Sequence, residues 1–144
     1  YTMGFTQKSA KDFFTLLKDN NIMLLVDIRL NNASQLAGFT KGRDLKYFLE
    51  EFCSIEYVYE PLFAPTKYIL DSYKNGKMSW QEYEIAYINL LQDRKAEDVF
   101  NSISKKGYSS VCFLCSELKP TQCHRRLLAE YLKENIGNIN IKHI

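Results

Sequence analysis

Short apolar runs in this chain alternate with stretches whose apolar residues recur every three or four positions, the pattern of strands interleaved with amphipathic helices. Residues 1–5 read as a short strand. Ser9 with Asp12 three positions on resembles a capping box ahead of the helical set Phe13, Phe14, Leu16 and Leu17, which Asn20-Asn21 breaks. Residues 22–30 then form a continuous apolar run closing on Asp27, Ile28 and Arg29, as expected of a parallel strand buried on both faces. A polar loop over 31–42 follows. Leu45, Phe48, Leu49 and Phe52 have helical spacing, and Ile55, Tyr57 and Tyr59 alternate with Glu56 and Val58 as a third strand, ended by Pro61 and Pro65.

Thr66 is placed to cap a short helix that stops near Asn75-Gly76. Ser79 with Glu82 is a second capping-box pattern, opening a longer helix with Trp80, Tyr83, Tyr87, Leu90 and Leu91 on one side. Residues 96–104 predict a further helix, 109–115 a fourth strand, 121–135 the last helix, and 139–144 a fifth strand after Gly137. No linker, repeat or low-complexity tract interrupts this order. The expected architecture is α/β: a Rossmann-like three-layer sandwich in one domain over residues 1–144, with a mainly parallel sheet of about five strands and helices on both faces.

Composition narrows the class. A hydrophobic fraction of 46% beside 25% charged residues suits a globular chain able to bury a core, and excludes disorder. The longest apolar runs fall far short of the roughly 20 residues a membrane span needs, and no basic leader with an apolar core opens the chain, so no membrane partner is expected and the location expected is cytoplasmic. Four cysteines then read as reduced thiols rather than as staples. A net charge of +2 is too small to imply nucleic acid by itself. The chain opens at Tyr1 already inside a predicted strand, so an initiator is expected ahead of it.

In parallel sheets covered by helices, ligands bind beyond the carboxyl ends of the strands. That rule nominates residues 5–8, 27–34, 59–66 and above all 115–125, where one apolar strand hands over to the last helix. Cys115, Glu117, Cys123, His124, Arg125 and Arg126 gather there, at a helix start suited to holding an anion or activating a thiol. Taking Leu127, Leu128, Tyr131 and Leu132 as the inward face, helical phase centres His124 on that face, puts Cys123 and Arg125 on its flanks and turns Arg126 to solvent. For His124, a core histidine bonded to a carbonyl and a base or ligand group both stand. Cys112 and Cys115, three apart on a strand, point to opposite faces, so Cys112 reads as core and neither a redox pair nor a metal site of Cys112, Cys115, Cys123 and His124 is expected. Cys123 reads either as an inert thiol or as one activated by the helix start.

Asp27 and Arg29 share a strand face, which suits a structural ion pair as well as a ligand site in which Arg29 and Arg125 grip a phosphate or carboxylate. Lys41 and Arg43 stand ready to enlarge such a patch, while Tyr57 and Tyr59 are placed to stack on a ring.

With these residues in view, the chain resembles the DUF488 family of small α/β proteins over nearly its full length. The elements that carry the resemblance are YTMGF at residues 1–5, DIR at 27–29 with Ser34 and Phe39 following, and LCSE at 114–117 leading to CHRR at 123–126. The resemblance implies a shared polar cluster of Asp27, Arg29, Ser34, Cys115, Glu117, Cys123, His124 and Arg125. The chain departs from the pattern in having Asn31, Asn32 and Ala33 where a proline is common, Tyr59 where a histidine is common, and Leu62, Phe63 and Ala64 in place of a leucine-glycine turn. His143 does not stand at the position of that second histidine.

Function is expected to be that of an enzyme on a phosphate-bearing or nucleotide-like ligand. Asp27, Arg29, Ser34 and Arg125 are the expected ligand residues and Glu117, Cys123, His124 and Cys115 the expected catalytic ones, with no cofactor or metal. Two alternatives stand beside it: a non-catalytic nucleic-acid-binding module using Arg29, Lys41, Arg43, Arg125 and exposed tyrosines, and a buried polar network that only fixes the fold.

Overall fold

The structure, a computed structural model, describes residues 1–33 and 38–144; the predicted ligand residue Ser34 lies outside the described residues. Strands β1 (Thr2–Gly4), β2 (Leu24–Asp27), β3 (Glu56–Tyr59) and β4 (Val111–Cys115) form one parallel sheet in the order β1-β4-β2-β3. Parallel pairing requires a crossover between successive strands, and helices provide it. Helices α1 (Ala10–Asp19) and α2 (Gly42–Cys53) cover one face, and α3 (Lys67–Lys74), α4 (Trp80–Asp93), α5 (Ala96–Ile103) and α6 (His124–Ile136) cover the other.

Strand parity divides the core in two. Leu24, Val26 and Phe113 pack with Tyr83, Tyr87, Leu91, Leu128 and Leu132 beneath α4 and α6, whereas Met3, Leu25, Cys112 and Leu114 pack with Phe13, Leu17, Leu45 and Leu49 beneath α1 and α2. Every residue of β2 is buried, the apolar Leu24, Leu25 and Val26 and, at its carboxyl end, Asp27. β3 lies at an edge, with Glu56 and Tyr59 exposed and Glu56 paired to Lys106.

Each sequence-predicted cap forms. Ser9 Oγ accepts the Asp12 N–H at 3.1 Å, and Thr66 Oγ1 accepts the Ile69 N–H at 3.3 Å. Ser79 and Glu82 close a reciprocal box, at 3.2 Å from the Glu82 N–H to Ser79 Oγ and 2.7 Å from the Ser79 N–H to Glu82 Oε2.

Three expectations are corrected. Among the described residues the sheet has four strands, not five: the segment at 139–144 contributes one isolated parallel bridge, Thr2 to His143, with hydrogen bonds from the Thr2 N–H to Lys142 and from the Ile144 N–H to Thr2. β1 is three residues long, so its free edge has little ladder to offer. The last helix begins at His124 rather than residue 121, which makes Cys123 its N-cap in extended conformation instead of a first-turn residue. Arg126 is not a solvent-facing side chain. It bonds Glu84 of α4 at 2.7 Å and Glu130 at 2.9 Å, because α4 packs along the side of α6 that helical phase alone leaves open. Among the described residues no helix is long and apolar enough to cross a membrane.

Candidate functional site

β4 ends on Cys115, the chain crosses a loop of polar and small residues, and α6 starts at His124, so the strand end and the helix start are held side by side. Cys115 and Cys123 bring their Sγ atoms within 3.2 Å. His124 places Nδ1 3.7 Å from Cys115 Sγ and Nε2 3.1 Å from the Ile28 carbonyl oxygen. A carbonyl only accepts, so Nε2 carries a hydrogen whether the ring is neutral or charged, and Nδ1 is left facing the thiol. Tyr87 meets the imidazole edge-on at 5.8 Å and fixes its own hydroxyl on the Phe63 carbonyl, which packs the ring in place.

These contacts set the charge. The hydrogen bond from Cys123 holds the Cys115 thiol well below its ordinary 9.0; burial opposes this, and the His124 charge, the His124 hydrogen bond and the Glu117 backbone N–H reinforce it. Donating to Cys115, together with burial and the nearby thiolate, pushes Cys123 up, so the pair retains one proton. Burial works against a charge on His124, yet the Cys115 thiolate and the Ile28 carbonyl outweigh it and raise the imidazole above 6.5. Both shifts favour the charged forms, a thiolate at Cys115 and an imidazolium at His124, with the Cys123 thiol in contact.

The donor atoms of Cys115, Cys123 and His124 all lie within 4.8 Å of one another, so these three residues could also hold a thiophilic metal ion. Cys112 belongs to the core on the opposite face, as strand parity predicts. All four cysteines are free thiols.

Arg125 is buried, and it grips protein rather than facing the cleft. Nη1 bonds the Glu117 carbonyl and lies 3.5 Å from Cys123 Sγ, and Nη2 bonds the Leu118 carbonyl at 3.1 Å. It thereby clamps the loop whose Glu117 N–H supports the thiolate. Gly4 of β1 makes room for this clamp: an added Cβ would stand 1.7 Å from the Glu117 carbonyl oxygen and 2.9 Å from Arg125 Nη1. Backbone cannot yield as a side chain can, so Gly4→Ala is expected to lower stability by about 1–3 kcal/mol in a thermal or urea melt.

Asp27 and Arg29 pair bidentately at the end of β2, with Nε to Oδ1 at 2.7 Å and Nη2 to Oδ2 at 2.6 Å. Arg29 also bonds the Thr40 carbonyl and covers the Phe5 ring at 5.2 Å, and the Tyr57 hydroxyl donates to Asp27. Parity turns Asp27 toward α1 and α2 and Cys115 toward α4 and α6. Arg29, beyond the strand end, is where the two sides meet.

A cleft of about 730 Å³ opens there, lined by Arg29, Cys115, Glu117, Cys123 and His124; Arg125 is not among its lining residues. The Glu117 side chain is exposed at the cleft. Lys74 and Tyr73 line the cleft from outside the nominated segments; Lys119 and Gln122 lie within 115–125 but are not singled out by the sequence, Lys74 and Lys119 being exposed and Tyr73 bonding Gln122 at 3.2 Å. Nothing in spacing or charge flags Lys74, since it reaches the cleft only because α3 folds back over the strand ends. Tyr83 belongs both to the aromatic core and to the cleft wall.

The fold and this cluster define a small α/β protein with a buried cysteine–histidine cluster at the strand ends. The family model for the domain of unknown function DUF488 matches residues 9–132, and the chain belongs to that family. The matched span includes Asp27, Arg29, Cys115, Glu117, Cys123, His124 and Arg125 and leaves out residues 1–5. No curated protein and no solved structure matches the chain.

Proposed function

We propose that this protein is an enzyme in which Cys115 is the nucleophile toward an anionic, phosphate-bearing or nucleotide-like ligand, bound in the crevice beyond the strand ends of a Rossmann-like sandwich. The observation that carries this reading is the contact of Cys115 with His124, Cys123 and the Glu117 N–H at the wall of the cleft. In the reaction a bond forms from the Cys115 sulfur to the electrophilic centre, and the leaving group departs with its electron pair and takes a proton from His124. Glu117, exposed at the cleft, stands ready as a second proton carrier. Lys74 and Lys119 supply positive charge on the lining, while Asp27 with Arg29 and the Arg125 clamp brace the walls. A cytoplasmic setting, where thiols stay reduced, suits such chemistry.

The nucleic-acid reading loses two of its four cations, because Arg29 and Arg125 are buried and bonded within the protein. Thermal-shift screening with nucleotides, sugar phosphates and inorganic phosphate tests the ligand class. At least one compound should raise the melting temperature, and the combined variant Lys74→Glu/Lys119→Glu should abolish that rise. Flat melting curves across all three sets overturn the ligand class.

A further inference from the structure

We infer that Cys123 is the resolving thiol for Cys115, so that a hydroperoxide entering the cleft converts the two into an intramolecular disulfide. This inference rests on the nucleophilic reading of Cys115 proposed above and adds a second chemistry to the same site. Both cysteines line the cleft, and their sulfurs are already in contact at 3.2 Å, so closing the bond asks for a shift of about 1.2 Å to reach the ~2.05 Å of a disulfide. A thiol in contact with the nucleophile stands in the path of any electrophilic sulfur formed there. Cys123 is the N-cap of α6: its carbonyl accepts the Arg126 N–H at 3.1 Å, but its side chain makes no capping bond, so turning that side chain toward Cys115 need not break the helix.

The chemistry balances with the peroxide as the only external oxidant. The Cys115 thiolate attacks the distal peroxide oxygen, the O–O bond breaks, and the departing alkoxide or hydroxide takes a proton from His124, leaving a sulfenic acid at Cys115. Neutral His124 then accepts the Cys123 proton through Nδ1 as the Cys123 sulfur attacks Cys115. The S–O bond breaks, and the leaving hydroxide departs as water after taking that proton back. One peroxide is reduced by two electrons and two thiols are oxidised to one disulfide. An external dithiol restores the pair by exchange.

Cys53 and Cys112 stand outside this pair. Cys112 lies in the core beneath α1 and α2, and Cys53 lies at the far end of α2. Oxidation should therefore select one pair among the four thiols.

The experiment treats the folded, reduced chain with a slight excess of hydrogen peroxide and reads intact mass and a peptide map. The expected result is a mass lower by about 2 Da, a Cys115–Cys123 linkage, and full reversal by a dithiol. Cys123→Ser should instead stop at the sulfenic acid, about 16 Da heavier and trapped by dimedone at Cys115. A wild-type chain that gains oxygen at Cys115 without forming the linkage, or that links Cys53 or Cys112, overturns the inference. Iodoacetamide labelling of the reduced chain in parallel separates the two proposals. Labelling of Cys115 with no disulfide defeats the resolving role alone, whereas no reaction of Cys115 with either reagent defeats the nucleophile as well.

Discussion

Iodoacetamide should alkylate Cys115 at nearly the same rate at pH 7 and pH 9. An ordinary thiol with the reference value of 9.0 would gain roughly fifty-fold in thiolate from pH 7 to pH 9, whereas Cys115, held well below 9.0 by Cys123, His124 and the Glu117 N–H, should gain far less. Burial slows the absolute rate equally at both pH values, so the ratio is the diagnostic quantity. The other three thiols do not interfere at neutral pH, because burial pushes Cys112 up to about 12 and raises Cys53, and the hydrogen bond to Cys115 pushes Cys123 up. Peptide mapping assigns the label. Cys123→Ala should steepen the pH dependence at Cys115 most, since it removes the hydrogen bond that lowers the thiol furthest, and His124→Ala should steepen it less. A wild-type rate that climbs about tenfold per pH unit up to pH 9 would defeat the thiolate assignment.

The same pair couples to stability with opposite signs. Cys115 has a folded-state value below its unfolded value, so in the interval between them the unfolded chain binds more protons, and stability rises with pH. That contribution is complete above about pH 9 and disappears as pH falls through the folded-state value. His124 is raised above 6.5, so its contribution is complete below 6.5 and disappears as pH rises through its folded-state value.

Arg29→Met should be the most destabilising single change near the site, at about 3–5 kcal/mol in a urea melt. Removing the guanidinium leaves the Asp27 carboxylate wholly buried, with hydrogen bonds from the Tyr57 hydroxyl and the backbone N–H of residue 29 but no counter-charge. Against a typical total of about 5–15 kcal/mol, a loss of that size leaves little margin for a folded state. The penalty arises from the stranded charge more than from the lost attraction. Asp27→Leu combined with Arg29→Met should therefore recover most of the stability that Arg29→Met loses. Equal melts for the single and double variants would show that the pair contributes through packing instead. A surface pair offers the contrast: Lys67→Ala, which breaks an exposed ion pair with Asp71, should change stability by less than about 1 kcal/mol.

Local signals carried the helix starts, because a cap is a bond between residues three apart in sequence. Ser9, Thr66 and Ser79 therefore performed as their spacing predicts. Parity separated Cys112 from Cys115 for the same reason, since a strand alternates its side chains whatever surrounds it. The last helix was the exception. Its start was misplaced because Arg125 pulls the 117–118 carbonyls into a loop, a contact that spacing alone does not reveal.

What the sequence determined by itself was therefore the order and kind of the elements from β1 through α6, the burial of β2, the inward phase of His124 and the candidate residues at the strand ends. Only the tertiary structure decided how those residues are used. It turned Arg125 into an internal clamp and closed Asp27 onto Arg29. It joined Arg126 to α4, brought Lys74 to the cleft, and set Cys123 against Cys115. Periodicity fixes the direction of a side chain about its own element, but partners depend on which elements pack together, and that is settled by burying both faces of one parallel sheet at once.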